Sequence, residues 1–280
     1  MVNNIQTNDD LKQHMDAMFS FASKVSYREC HLLSVIQASK SLIGLSLDNP
    51  PRNVLKWIEK YIQQFQLDHK IPEYLNDEDK PEVLSILSLE KLIANEEIEK
   101  SRKYLMHLIP IADSSYIMEL LLEISFKYSI SAILFCWYAC KAIQFMEDRE
   151  EILLLSLDCL YANPKEKDGE EDAREQILLS CHSYQIRETN LIRSKKILHA
   201  LDEKIETFKA GKNDHDIIPS KLLACISKNG ERGLVNYLQN LSVDEISHEH
   251  IMDMDAMRSV LRYASDDVFD FKMGKMKTIC

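Results

Sequence analysis

The sequence is short of glycine. Its 280 residues include only 6 Gly and 7 Pro, where average usage would give about 20 Gly. Glycine supplies left-handed turns, bulges and close backbone approach to phosphates. Its scarcity disfavours doubly wound nucleotide-binding folds, kinase catalytic lobes and β-sandwiches, and predicts a mostly helical chain with short connections. An excess of basic charge is also missing. The balance is 45 Asp+Glu against 34 Lys+Arg, a net −11, which argues against general nucleic-acid binding.

Cysteine pairs at metal or redox spacing are missing too. The seven cysteines are Cys30, Cys136, Cys140, Cys159, Cys181, Cys225 and Cys280, an odd number with no CxxC motif. They read as reduced, mostly buried thiols of a cytoplasmic protein. The polar, acidic start MVNNIQTNDD does not read as a signal peptide. The longest apolar stretch, Ile130 to Ile143, spans about 14 residues, short of the roughly 20 a membrane helix needs. It reads as a buried core helix.

What is present is helical periodicity. Leu11, Met15, Met18, Phe19 and Ala22 follow Asn8-Asp-Asp, and Leu32, Leu33, Ile36 and Leu42 continue the spacing. Asp48-Asn-Pro-Pro is a stop. Val54, Trp57, Ile58, Tyr61, Ile62 and Phe65 form one amphipathic stripe. After breaks at Pro72 and Pro81, the pattern predicts a short helix over 81–93 and a second opening at Ala94-Asn-Glu-Glu. A third is capped by Asp113-Ser-Ser. Residues 129–145 are apolar nearly all round, as in a helix covered on every side, and 151–161 are helical again. The pattern predicts an all-α, armadillo-like stack of antiparallel helix pairs, an α-solenoid, over residues 1–162. Residues 163–176 hold a charged run read as a mobile loop. A less regular helical part and tail fill 177–280, with a helix or two over 173–209 and short helices near 219–228, 231–241 and 251–264.

Catalytic motifs are not found. There is no GxGxxG, GxxxxGK[ST], HRD-type loop, GxSxG or HExxH; Asp270-Phe-Lys is not DFG, and Asn229-Gly-Glu-Arg-Gly reads as a turn. Cys181 and His182 are adjacent and would point apart on a helix. Glu96-Glu97, Glu150-Glu151 and Glu170-Glu171 lie in polar runs that read as solvated faces. The best cluster for a metal is His248, His250, Asp253 and Asp255, which would make the chain a helical metal-dependent hydrolase; on a helix the two histidines point about 200° apart, and a solvated helix start is the preferred reading. No cofactor is expected. Trp57, Tyr61, Tyr104 and Trp137 are read as core or groove aromatics, the latter use being the docking of a partner helix.

Residues 94–145 also carry a resemblance. Lys103-Tyr-Leu-Met-His-Leu-Ile, then Leu120-Leu-Leu-Glu-Ile-Ser-Phe-Lys-Tyr, then Ser129-Ile-Ser-Ala-Ile-Leu-Phe-Cys-Trp-Tyr-Ala-Cys-Lys resemble, in order and spacing, the helical accessory (PIK) domain of phosphoinositide kinases. The polar run at 164–175 is similar to an insertion of type III phosphatidylinositol 4-kinases. The sequence shows no glycine-rich, catalytic or activation loop of that family, so the resemblance implies a non-catalytic scaffold module and carries over no catalytic residue. It implies a kinase catalytic domain as partner in cis, and protein partners such as a small GTPase or regulatory subunit. With no nucleic acid bound and no transmembrane segment, endomembranes would be reached only peripherally, through partners. The other reading is an unrelated helical-repeat adaptor.

Overall fold

Several helix starts among the described residues are set by side chains that take up orphan backbone N–H groups. Ser85 accepts from the Ser88 amide at 3.1 Å, Asp113 from Ser115 at 2.7 Å, and Ser129 from Ala132 at 3.4 Å. The computed structural model describes residues 8–28, 32–68, 83–146, 149–165 and 231–263. The described residues form α1 (Asn8–Ala22), α2 (Leu32–Ile43), α3 (Arg52–Ile62), α4 (Ile86–Ala94), α5 (Ile98–Leu108), α6 (Ser114–Ser125), α7 (Ile130–Ala142), α8 (Glu150–Ala162), α9 (Glu231–Asn240) and α10 (His248–Tyr263), with one 3-10 turn at Val243–Glu245. Among them there is no strand, only an isolated antiparallel bridge between Tyr128 and Lys165. The described residues are all-α, in keeping with the glycine shortage.

Boundaries differ where tertiary bonds compete. The helix expected over 81–93 begins only at Ile86. The reason is Tyr104, whose hydroxyl accepts the Ser85 N–H at 2.7 Å and so holds Ser85 outside the helix as its cap. Ala94-Asn-Glu-Glu leads into α5, whose N-cap is Glu97, but the same residues also close α4. The Glu97 amide reaches back to the Leu92 carbonyl and the Glu96 amide to Ile93, a Schellman closure whose left-handed position usually holds glycine. Here Glu96 occupies it, at φ 60°. The helix expected near 251 starts at His248, because Ser247 Oγ accepts the His250 amide at 3.2 Å. The charged run beyond Lys165, the helices expected over 173–209 and 219–228, and the tail lie outside the described residues.

The described residues divide into two compact units, and the division falls within α2. One holds residues 9–37 and 64–165. In it α4 packs on α5 and α6, α6 on α7 and α8, and α8 on α5 and α7. Consecutive helices joined by short turns thus form hairpins. Helix α7 is buried from Ala132 to Ala142 apart from Leu134, and α8 is buried along most of its length, which accounts for their apolar character on all sides. The ends are pinned by polar bonds: Ser23 Oγ donates to Glu151 Oε2 at 2.5 Å, and Arg102 donates from Nε to Asp158 Oδ1 at 2.8 Å.

The second unit holds 38–63 with 231–263. There α3 packs on α9 and on the 3-10 turn, and α9 on α10. The α3 stripe buries Val54, Leu55, Trp57 and Ile58. Asn53 Nδ2 donates to the Leu241 carbonyl at 2.8 Å and Gln239 Nε2 to that of Asn49 at 3.0 Å.

Candidate functional site

Four aromatic side chains are the first candidates, and the two units divide them. Trp57 and Tyr61 lie one turn apart on α3, so their rings stack, with centroids 4.9 Å apart and planes at 16°. Trp57 is buried and Tyr61 half-buried. Tyr61 also stacks on His248, at 5.8 Å and 19°. Tyr104 and Trp137 belong to the other unit, and both are buried. The Tyr104 hydroxyl is spent on the start of α4, and the Trp137 ring lies 4.4 Å from the Lys141 ammonium, a cation–π contact in the core.

The His/Asp cluster is spread along α10. His248 stacks on Tyr61, while His250 Nδ1 lies 3.1 Å from the Glu245 carbonyl. Two residues apart on a helix, the rings diverge. Asp253 and Asp255 are buried, and Asp255 Oδ1 accepts from Arg258 Nε at 2.6 Å. Among the described residues no three His, Cys, Asp or Glu side chains gather where an ion would be held.

Sequence reasoning missed a polar knot around the end of α8. Asn163 Nδ2 donates to the Tyr27 hydroxyl at 2.9 Å and to the Cys159 carbonyl at 2.8 Å, and Asn163 Oδ1 accepts from Ser129 Oγ at 2.6 Å. Tyr27 sits edge-on to Phe135 at 5.0 Å. Cys136, Cys140 and Cys159 are buried and none of the three is in a disulfide. Burial pushes the Cys136 thiol well up, and its hydrogen bond with Cys159 adds to the shift. Burial likewise pushes the Tyr27 phenol up, and Tyr128 to about 12. These groups stay neutral at physiological pH, the opposite of what a thiolate nucleophile requires. A lone Asn after a helix is the only sequence signal for the knot, and it reads equally as an ordinary helix end.

The first unit also leaves some large apolar side chains outside. Val83, Leu87, Ile111 and Tyr116 are exposed by 75%, 68%, 64% and 45%. The Tyr104 bond to Ser85 sets the last turns of α5 beside the start of α4, and Ile111 and Tyr116 follow at the α5–α6 turn and the start of α6. Large side chains in such places commonly mark association surfaces. No described helix is long and apolar enough to cross a membrane. Comparison with protein-family models, curated proteins and solved structures finds no match to this chain.

Proposed function

We propose that this chain is a non-catalytic helical scaffold that docks protein partners, and that residues 94–145 serve as the helical accessory module of a phosphoinositide kinase, closest to a phosphatidylinositol 4-kinase. One observation carries the scaffold reading: a set of helical hairpins with a filled core leaves Val83, Leu87, Ile111 and Tyr116 in solvent around the α4, α5 and α6 ends. The three stretches that resemble the family occupy α5, α6 and α7, and their apolar positions Tyr104, Leu105, Leu121, Leu122, Phe135 and Trp137 are buried. Pairwise packing of α4 on α6 and of α6 on α8 supports an armadillo-like stacking of the pairs.

Two experiments test this. Reading the transcript past codon 280 looks for a DRxxxN and DFG-type lobe downstream; finding one establishes the kinase module, and a stop codon directly after Cys280 favours the helical-repeat adaptor. Titrating the full chain with a purified phosphatidylinositol kinase catalytic domain, or with a small GTPase, tests docking. Binding that falls at least tenfold in Leu87→Arg or Ile111→Arg is the expected result. Binding unaffected by both substitutions removes this face from the proposal.

A further inference from the structure

Two of the three residues that leave α8, Asn163 and Lys165, bond to other segments of the first unit. Asn163 makes the neutral half of these contacts, to Tyr27 and Ser129. Lys165 makes the charged half. Its ammonium lies 2.9 Å from Glu96 Oε1, 3.2 Å from the Ala94 carbonyl and 5.9 Å from the centre of the Tyr128 ring. Lys165 also forms the isolated backbone bridge to Tyr128.

The Ala94 carbonyl is among the last four of α4, which no residue of the helix itself can satisfy. A cation there also meets the negative end of the helix dipole. Lys165 supplies both from 71 positions further along the chain. Glu96 reaches it from a left-handed backbone position that disfavours any side chain. The neighbouring Glu97 is already taken by Lys100 at 2.5 Å. Both ends of the Lys165–Glu96 pair are open to solvent, with side chains 34% and 65% exposed, so salt and charge-altering reagents reach it, whereas the Asn163 bonds carry no charge to screen.

We infer that Asn163–Lys165 is a strap with a charge-dependent catch: the Lys165 ammonium reinforces the backbone closure of the α4–α5 turn, and removing that charge loosens the turn while Asn163 keeps the strap attached. The catch is a conformational device distinct from partner docking, and it does not rest on the kinase reading.

Hydrogen exchange on the full chain tests it at peptide resolution, comparing wild type with Lys165→Gln, Lys165→Arg and Glu96→Gln. An exposed pair of this kind protects by up to about fivefold, so Lys165→Gln is expected to speed exchange across residues 94–98 about three- to fivefold. Lys165→Arg is expected to keep wild-type rates, and Glu96→Gln to speed the same amides with nothing further added in the double variant. In all of them α7 exchanges as in wild type. Equal rates for Lys165→Gln and wild type overturn the inference, as does equal acceleration by Lys165→Arg or an increase spread evenly into α7.

Discussion

Asn163 donates a hydrogen bond to the Tyr27 hydroxyl at 2.9 Å across 136 positions of sequence. The same amide holds the Cys159 carbonyl and receives the Ser129 hydroxyl. Ser129 is the N-cap of α7, so one side chain joins the exit of α1, the start of α7 and the end of α8. Asn163→Ala strips partners from three half-buried polar groups at once. The expected loss is about 2–3 kcal/mol, read as a lower urea midpoint at unchanged slope. Tyr27→Phe removes the hydroxyl that meets both Asn163 and Cys159 and is expected to lose about 1 kcal/mol. Equal losses for the two would mean that Asn163 acts through Tyr27 alone.

Glu96 stands where a helix of this kind usually ends on glycine. Its φ of 60° costs a side-chain-bearing residue roughly 1–2 kcal/mol. Glu96→Gly removes that cost and forfeits an exposed ion pair worth about 0–1 kcal/mol. A net gain of about 0.5 kcal/mol is expected in thermal or urea unfolding. Glu96→Val keeps the strain, adds β-branching and loses the pair; it is expected to unfold more easily than wild type. The two substitutions thus move stability in opposite directions, although both delete the same carboxylate.

In the second unit, Arg258 and Asp255 form an ion pair with side chains 5% and 0% exposed. Removing one member of such a pair leaves the other charged and buried, at a cost of about 3–5 kcal/mol. Arg258→Met is expected to lose that much by calorimetry. Adding Asp255→Leu should recover part of it, because two apolar side chains replace a stranded carboxylate. No recovery would show that Arg258 acts chiefly through groups other than Asp255.

How far these features can be read from sequence depends on whether their cause is local. The α3 stripe, the Asp113 cap and the all-round burial of α7 follow from periodicity and caps, and the sequence reading places them within a few residues. The start of α4 does not, because Tyr104 decides it from the next helix. Glu96 escapes because a left-handed turn is sought at glycine. Asp253 and Asp255 look like part of a solvated helix start, and only packing shows that α10 buries them. The Trp57–Tyr61 stack is visible as an i, i+4 pair; His248 joining it is a tertiary event. Asn163 and Lys165 stand at the edge of a charged run whose composition suggests only solvent.

Tyr128 gives the clearest pH dependence. It is 2% exposed, its hydroxyl has no hydrogen-bond partner among the described residues, and burial raises its pKa from 10.0 to about 12. A raised folded pKa means that the folded chain keeps a proton the unfolded chain has released. The stabilisation is therefore complete below pH 10 and is lost as pH rises through about 12. Tyr128→Phe removes both the titrating group and the orphaned hydroxyl, whose burial is unfavourable. At pH 7 the variant is expected to be as stable as wild type, or more so by up to about 1 kcal/mol. Between pH 10 and 12 its stability should fall less steeply. Urea midpoints taken across that range for both proteins check this, and parallel curves would show that Tyr128 does not carry the alkaline loss.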